Sequence, residues 1–314
     1  GRRIVCNFGQ DSSFAGNKTA GNNADGNGIG DFFYAPPSGF LALCASNLPE
    51  PAVIPSEHFN TILYTGDDQT GKAISGVGFA PDFLWFKERN ATAHHVLHDS
   101  VRGVSAGRIS SNRTNAEDAG DSIASFDSDG FTVGSSAAYI NSDSANIVAW
   151  SWKANGSGAA NTEGSINTTK TSANVDSGFS IITYTGNATE GATLGHGLNK
   201  APEMIWVKTR ASGGWQVYHS GNTSEPETEE LNLEVTEATQ DSANIWNDTA
   251  PAATVFSLGN NGAVNGNGTA FIAYCFHSVE GYCKVGSYTG NNNAYGEFVN
   301  TGFRPAFVMT KQSS

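Results

Sequence analysis

One pattern occurs three times along the chain and limits what it can fold into. It runs as YTGDDQTGKAISGVGFAPDFLWFK over residues 64–87, as YTGNATEGATLGHGLNKAPEMIWVK over 184–208, and as YTGNNNAYGEFVNTGFRPAFVMTK over 288–311. Each copy has an apolar stretch that ends in Tyr-Thr-Gly, a loop, a proline, and a second apolar stretch that ends in lysine. Because the order is kept in every copy, we interpret the pattern as a repeated module.

Both apolar stretches of the module have the signature of β-strands. In FNTILYTG, Phe59, Thr61 and Leu63 would lie on one face of a strand and residues 60, 62 and 64 on the other. Such alternation is typical of a strand with one buried face. The second stretch has four apolar residues in succession, which indicates burial on both faces, as in the core of a sandwich. The proline precedes this strand, where its missing N–H costs no ladder bond. We expect the closing lysines to mark the exit to solvent: Lys87, Lys208 and Lys311.

The composition supports an all-β fold. Short β-branched and aromatic runs are broken by Gly, Asn, Asp and Ser, and no long stretch has helical spacing. The 18 Phe, 9 Tyr and 6 Trp are enough to fill a large core. We therefore predict tandem antiparallel β-sandwich modules of the jelly-roll or lectin-like kind.

Further landmarks set the predicted domains. GFTVG at 130–134 matches VFSLG at 255–259, and VAWSWK at 148–153 matches IAYCFH at 272–277. The prediction is a first sandwich repeat over 57–160, a second over 161–280, and the start of a truncated third over 281–314. Residues 1–56 have one or two strands and read as the end of an earlier β domain plus a linker.

The third copy holds only its first two strands, so we expect the chain to be a fragment that continues past Ser314. Two strands alone are marginal in water, because a hairpin cannot bury its apolar face. Five side chains of the third copy should therefore need cover: Val285, Tyr288, Phe303, Phe307 and Val308.

The formal net charge of −13 argues against nucleic acid as a partner, because phosphate backbones require cationic surfaces. No apolar run approaches the roughly 18 residues that a spanning helix needs, so we expect no membrane insertion. The four cysteines, at positions 6, 44, 275 and 283, have no metal-ligand spacing. We expect free thiols, with a Cys275–Cys283 disulfide as the alternative.

Two stretches of the chain are familiar. The run CNFGQ…F…Y.PPSGFLALC..NLPEP resembles the closing segment of SPRY-like β-sandwich domains in structural proteins of bacteriophages. The ordered motifs YTG…GFAPDFLWFK…HDSVRG…SFDSDGFTVG…AWSWKA are similar to a repeat domain found downstream of that segment, especially in marine tailed phages. The resemblance covers essentially the whole chain and implies a virion protein. The chain departs from the pattern at HHVLHD, where histidines stand in a strand expected to hold aromatic residues.

Two clusters have metal-like spacing. His94 and His98 would share one face of a strand, as a pair of ligands for a divalent ion requires. Asp25, Asn27 and Asp31 are spaced like calcium ligands, as are the aspartates of SFDSDGF. Neither acidic turn has the closing glutamate of an EF-hand loop. We favour surface strand histidines and ordinary turn residues, and keep Ca²⁺ as the alternative; no other cofactor is expected.

The candidate ligand-binding residues are Trp215, Tyr218 and His219. Trp215 follows a Gly-rich turn and has no aromatic counterpart in the first copy, whereas Trp85, Trp150, Trp152 and Trp206 fit core positions. No nucleophile motif, zinc motif or phosphate loop is present, and the acidic run at 225–237 fits a solvated loop. We therefore expect no enzymatic activity.

The resemblance to phage structural proteins implies a structural protein of a phage virion, either a tail fibre, a tail-associated adhesin or a capsid decoration. Its partners would be copies of itself, other virion proteins and a glycan of the host surface, and it would be assembled in the host cytoplasm. The alternative is a secreted glycan-binding module or glycosidase of a marine bacterium.

Overall fold

The computed structural model describes residues 4–47, 53–118, 122–135 and 138–313, and it is built almost entirely from antiparallel strands. The prediction of an all-β sandwich fold is thus confirmed. The chain divides into two compact units, Gly1–Pro51 and Ala52–Ser314. Part of the predicted linker lies outside the described residues. No helix in the described ranges is long and apolar enough to span a membrane.

The first unit differs from the prediction. Residues 4–47 contain a 3-10 helix, Ala45–Asn47, and one isolated bridge between Asn23 and Phe32, but no strand. Side chains take the place of a ladder here: Asn7 and Asp25 each bond several backbone groups of the surrounding loops. Asn and Asp bind nearby backbone in this way in competition with strand pairing. The predicted strands of this region are therefore wrong.

In its described residues, 57–118, 122–135 and 138–160, the first repeat has eight strands in two sheets. The strands are β1 (Phe59–Thr65), β2 (Ala73–Ser75), β3 (Phe83–Glu88), β4 (Val96–Asp99), β5 (Ile109–Ser110), β6 (Ile123–Asp127), β7 (Gly130–Val133) and β8 (Asn146–Trp152), preceded by a 3-10 helix, Pro55–Glu57. Sheet A has the order β1-β8-β3-β4-β5, and a small sheet has the order β2-β7-β6.

The second repeat has nine strands, also in two sheets. They are β9 (Lys170–Asn174), β10 (Phe179–Thr185), β11 (Ala192–Gly195), β12 (Met204–Thr209), β13 (Trp215–His219), β14 (Glu229–Asn232), β15 (Gln240–Asp241), β16 (Val255–Leu258) and β17 (Ala270–Phe276). The helices are short: α1 (Ala243–Trp246), α2 (Gly262–Asn265) and a 3-10 turn, Pro226–Thr228. Sheet B has the order β15-β14-β13-β12-β17-β10-β9, and a small sheet pairs β11 with β16.

The two repeats share one strand order. Sheet A reads β1-β8-β3-β4-β5 where sheet B reads β10-β17-β12-β13-β14, so FLWFK and MIWVK occupy equivalent central strands, β3 and β12. Sheet B has two additional strands, β9 beside β10 and β15 beside β14. This agreement in pairing follows the prediction made from the repeated motifs. The domain boundaries themselves stay a prediction.

The recurring Tyr-Thr-Gly motif ties β1 of the first repeat and β10 of the second to the segment before the last strand of the same repeat. The Tyr64 hydroxyl donates to the Ile140 carbonyl at 2.5 Å, and the Tyr184 hydroxyl donates to the Val264 carbonyl at 2.6 Å. The glycine is required by close approach, because a Cβ at Gly66 would lie 2.0 Å from the Ser142 carbonyl oxygen. The motif therefore makes the same tyrosine-to-carbonyl hydrogen bond in both complete repeats.

Sheets A and B face each other across a central core, and each has its own outer core beneath its small sheet. Strand alternation divides the side chains between these cores, as in β3, where Phe83 and Trp85 point to the central core and Leu84 and Phe86 to the outer one. Residues 83–86 are all buried, as the four-residue apolar run predicts. The repeats thus lie in one compact unit with a shared core.

Lys208 corrects the expectation that the closing lysines reach solvent. It is fully buried, and its Nζ donates to the carbonyls of Thr209 at 2.7 Å and Ala211 at 3.1 Å. Burial lowers its pKa to about 8. Lys87 bonds the carbonyls of Glu88 and Ala91 in the same way. These lysines stabilise the turn after the strand.

The third copy forms no strand in the structure, contrary to the prediction. Residues 284–313 are coil with bends at residues 293–295, 302–303 and 306, preceded by an isolated bridge between Val279 and Cys283. Phe307 is covered by the central core, whereas Tyr288 and Val308 are 57% and 68% exposed. A strand is defined by its ladder partners, and this segment lacks counterparts of the strands that flank β3 and β12.

Candidate functional site

An aromatic cleft of about 270 Å³ opens on the first repeat, and we take it as the candidate site. Trp85 and Trp150 form two of its walls, because they lie opposite each other on one face of the adjacent strands β3 and β8. The cleft is lined by Trp85, His95, Trp150, Ala306, Phe307, Val308 and Met309.

The rings of the cleft meet mostly edge to face. The centroids of Trp85 and Trp150 lie 6.0 Å apart at 85°, and Phe307 lies 5.9 Å from the first ring and 5.4 Å from the second. Such arrangements are favoured by the quadrupoles of aromatic rings. Trp150 is half-buried, so the cleft offers apolar surface beside a partly accessible indole.

A histidine fixes the orientation of Trp85. The indole Nε1 donates to His95 Nδ1 at 2.8 Å, which requires Nδ1 to be unprotonated. Burial, Lys87 and His94 lower the pKa of His95, which favours the neutral ring that this bond needs. His95 thus holds the Trp85 ring, which forms one wall of the cleft, in a fixed orientation.

The chemistry available in the cleft is recognition by shape and apolar contact. Its lining residues in the described part of the chain include no carboxylate, thiol or hydroxyl side chain. His95 is the titratable side chain of this lining, and its Nδ1 accepts the bond from Trp85. The cleft therefore suits an apolar or aromatic group, including one carried by an extended chain.

A second depression, of about 360 Å³, lies between residues 278–284 and 300–302 and contains Cys283. Burial and nearby Glu203 raise the pKa of this thiol to about 11. The thiolate is the nucleophilic form of cysteine, so a raised pKa suppresses reactivity. All four cysteines are free thiols in the structure, and no disulfide joins Cys275 to Cys283.

A buried ion pair lies in the first repeat, where it faces the second. The Nε of Arg102 donates to Asp99 Oδ2 at 2.6 Å, and neither side chain is exposed. The remaining guanidinium donors reach the carbonyls of Gly107 and Leu97. Burial alone would lower the pKa of Arg102, but the Asp99 charge holds it above its usual range.

The same charges connect the two repeats. The Tyr274 hydroxyl, from sheet B, donates to Asp99 Oδ2 at 2.9 Å. Glu117 of the first repeat accepts two bonds from Arg210 of the second, at 2.6 and 3.0 Å, and lies 3.5 Å from Arg102. Burial raises the pKa of Tyr274 well above its usual value, so its hydroxyl keeps its proton. We interpret this cluster as a structural clamp between the sheets, and call it the charge clamp.

The three candidate ligand residues on β13 do not form an open surface. Trp215 is fully buried in the central core, and its Nε1 donates to the Ser110 carbonyl at 2.9 Å. Tyr218 points to the opposite face, where it packs edge to face on Trp246. His219 is half-buried and accepts a bond from the Gly221 amide. The structure thus separates residues that the sequence placed together.

The histidine pair has two different environments. His98 is 2% exposed and packs on Phe86, so the expectation of a surface histidine is wrong for this residue. Desolvation by burial lowers the pKa of His98 to about 3. His94 is half-buried, precedes β4 and contacts Asn112 and Tyr139. Within the described ranges, no group of three or more His, Cys, Asp or Glu side chains is arranged to hold a metal ion.

The acidic turn of the first unit is organised by its own backbone. Asp25 is 8% exposed and accepts bonds from the amides of Asn27, Ile29 and Ala42 and from the Asn47 side chain. Burial alone would raise the pKa of Asp25, but these donors lower it to about 2. Both oxygens of the carboxylate therefore accept hydrogen bonds from neighbouring N–H groups.

The other two members of that turn point elsewhere. Asn27 is exposed and donates to Asn47 Oδ1, while Asp31 Oδ2 accepts from the Ser12 amide. The bonds with Ser12 lower the pKa of Asp31. Asp25, Asn27 and Asp31 are thus near in sequence but serve different local contacts.

Sequence reasoning missed the cleft because it assigned Trp85 and Trp150 to the core and treated the third copy as incomplete. One signal was present: aligning RPAFVMTK with APDFLWFK and APEMIWVK places Phe307 at the position of Phe83 and Met309 at that of Trp85. This alignment predicts that Phe307 and Met309 face the central core, as Phe83 and Trp85 do.

A model of the family described as a domain of unknown function, DUF7483, covers residues 54–314. No curated protein and no solved structure matches the chain.

Proposed function

The chain belongs to the DUF7483 family of domains of unknown function, and we propose that it is a non-catalytic structural protein of a bacteriophage virion. Its place would be a tail fibre, a tail-associated adhesin or a capsid decoration. Repeated β modules suit such a role, because each adds length and surface without requiring chemistry.

The observation that carries the proposal is the core shared by all three copies of the motif. Equivalent residues of the three copies meet there, first Phe83, Met204 and Phe307, then Trp85, Trp206 and Met309. The third pair arrives on a segment with no strand partners of its own. The three copies of the module therefore pack against one another through a common core, as the modules of a rigid structural protein do.

The buried titratable groups support a structural role. The carboxylates of the charge clamp are bonded by arginine and tyrosine side chains, and His98 is buried beneath sheet A. Perturbed groups at active sites normally face a cleft, where they can meet a substrate. The charge clamp and His98 face packed neighbours, which favours stability and alignment of the sheets, whereas His95 lines the cleft and accepts the bond from Trp85.

Assembly in a reducing cytoplasm fits the cysteines. Burial raises the pKa of Cys275, a free thiol in the outer core of sheet B. Buried thiols without partners are typical of proteins that fold where disulfides do not persist. This supports virion assembly inside a host cell, with copies of the chain and other virion proteins as its partners.

The test is the composition of the particle. Virions of a phage that encodes the chain are purified on a density gradient, and their proteins are identified by mass spectrometry. We expect the chain to co-purify at a constant ratio to the major capsid protein, which serves as the internal control. Detection in infected-cell lysate but not in gradient-purified particles would defeat the proposal.

A second function is favoured by the aromatic cleft. Indole rings are common stacking platforms, and the half-buried Trp150 is accessible from the cleft. The chain would then be a glycan-binding module, either as the adhesin of a virion or as a secreted bacterial protein. Glycan-array binding that is lost on Trp150→Ala and kept on Trp150→Phe would support it, and release of reducing sugar would point instead to a glycosidase.

A further inference from the structure

The segment 304–311 packs Phe307 and Met309 on the central core but lacks the neighbours of a central strand. In the complete repeats, β3 lies between β8 and β4, and β12 lies between β17 and β13. In the aligned motifs, Phe307 corresponds to Phe83 and Met204. No backbone–backbone hydrogen bond joins 304–311 to any part of the chain that the structure describes.

The inward face of the segment is well packed. The Phe307 ring lies 6.1 Å from Phe59, 5.9 Å from Trp85, 5.4 Å from Trp150 and 5.3 Å from Trp152. Met309 also packs on the central core. The segment is therefore held in place by its side chains, with its backbone left available.

The outward face is open where its counterparts are covered. Val308 is 68% exposed, whereas the equivalent residues Leu84 and Ile205 are fully buried. Unpaired N–H and C=O groups along an extended segment form a template for another strand. Main-chain hydrogen bonds would supply affinity there, and pockets for alternate side chains would supply selectivity.

We propose that residues 304–311 are a receptor strand, and that the aromatic cleft beside them binds an extended segment with aromatic residues at alternate positions. The two complete repeats show what such a partner looks like. Trp152 and Trp150 of β8 pair with Phe83 and Trp85, and Phe276 of β17 pairs with Met204. The bound strand runs antiparallel and sets an aromatic residue opposite Phe307.

An apolar strand fits this place better than a small polar ligand. The lining of the cleft offers rings and aliphatic side chains, with the His95 Nδ1 already engaged by Trp85. Binding of small polar molecules usually relies on a few fixed polar groups within an apolar pocket. The unpaired backbone of 304–311 is the polar partner available here, and it suits another backbone.

The experiment uses the full chain and a synthetic peptide with the sequence of residues 146–153, NIVAWSWK, labelled for fluorescence anisotropy. We expect saturable binding in a one-to-one ratio. A matched peptide with Trp150→Asp and Trp152→Asp tests the aromatic requirement, and we expect no saturable binding of it. Failure of the full chain to bind NIVAWSWK would overturn the proposal.

Two protein variants locate the site. Val308→Pro removes a backbone donor at an exposed position and leaves Phe307 and Met309 in place, so we expect the Kd of the peptide to rise at least about tenfold. Val308→Thr keeps the donor and the β-branched shape, so we expect an unchanged Kd. Equal binding to Val308→Pro and wild type would show that the peptide pairs elsewhere, for example by exchange with β8, and would refute the proposal.

Light scattering tests the remaining occupant, a second copy of the chain. Should the chain self-associate, we expect an excess of NIVAWSWK to dissociate it and Val308→Pro to abolish it. A dimer that resists both changes would place the contact at another surface and would count against the receptor strand.

Discussion

The Tyr274 hydroxyl donates a hydrogen bond to Asp99 across the boundary between the two repeats, with 2.9 Å between the oxygens. Asp99 already pairs with Arg102, so the bond joins a strand of the second repeat to an ion pair of the first. Glu117 and Arg210 make a further connection. The shared core thus contains a polar contact with fixed geometry, which sets how the two sheets align.

Removing that hydroxyl should destabilise the whole unit. Tyr274→Phe keeps the ring in the central core and leaves Asp99 short of one donor. Since a hydrogen bond to a charged group contributes about 1.5–3 kcal/mol, we expect the free energy of unfolding in urea to fall by about 2 kcal/mol. Tyr288→Phe, at an exposed tyrosine, is the matched control and should change nothing. Equal unfolding curves for the two variants would contradict the clamp.

Trp215 should behave as a core residue in stability measurements. Trp215→Ala deletes a fully buried ring and its bond to the Ser110 carbonyl, so we expect a loss of about 3–5 kcal/mol in the free energy of unfolding. Trp215→Phe retains part of the packing and should lose less. A Trp215→Ala variant with native stability and altered ligand binding would instead restore the interpretation of this residue as a binding platform.

Stability should decline as the pH falls below the ordinary range of histidine. Burial holds the pKa of His98 at about 3 in the folded chain, against about 6.5 when unfolded. Between these values the unfolded state binds the extra proton, so folding weakens by about 1.4 kcal/mol per pH unit for this group. His98→Gln should therefore flatten the pH dependence of the free energy of unfolding between about pH 6.5 and 4.5.

The control for this pH effect is a change at the same place without a titrating group. Phe86→Leu perturbs the packing around His98, since the two rings lie 6.4 Å apart. We expect it to lower stability by the same amount at every pH. An unchanged slope in His98→Gln would show that His98 is protonated in the folded chain.

Chelation should leave the first unit intact. The Asp25 carboxylate accepts four bonds from neighbouring N–H groups, so its oxygens are engaged without a cation. We expect the same melting temperature in EDTA and in millimolar Ca²⁺. Asp25→Ala should increase proteolytic cleavage within residues 4–47 and leave the melting of residues 52–314 unchanged. A Ca²⁺-dependent rise in melting temperature that is lost in Asp25→Ala would identify a calcium site.

Much of the fold was determined by the sequence itself. The alternation in residues 59–64, the four apolar residues of 83–86 and the ordered landmarks of two repeats predict strands of the right kind in the right order. These features are local: a period of two requires a strand, and four consecutive apolar residues require cover on both sides. The Tyr-Thr-Gly motif belongs here too, because the same bond recurs in each complete repeat.

The tertiary structure decided which surfaces provide that cover. Trp215 looks exposed in the sequence because it follows a Gly-rich turn, yet it is buried where sheet B meets sheet A. Asp99 and Tyr274 are 175 positions apart, and no local pattern pairs them. The third copy has the composition of strands, but strands exist through hydrogen-bonded neighbours, and residues 304–311 have none in the described chain. A side chain's tendency to be buried is local, whereas its partner is set by long-range packing of the sheets.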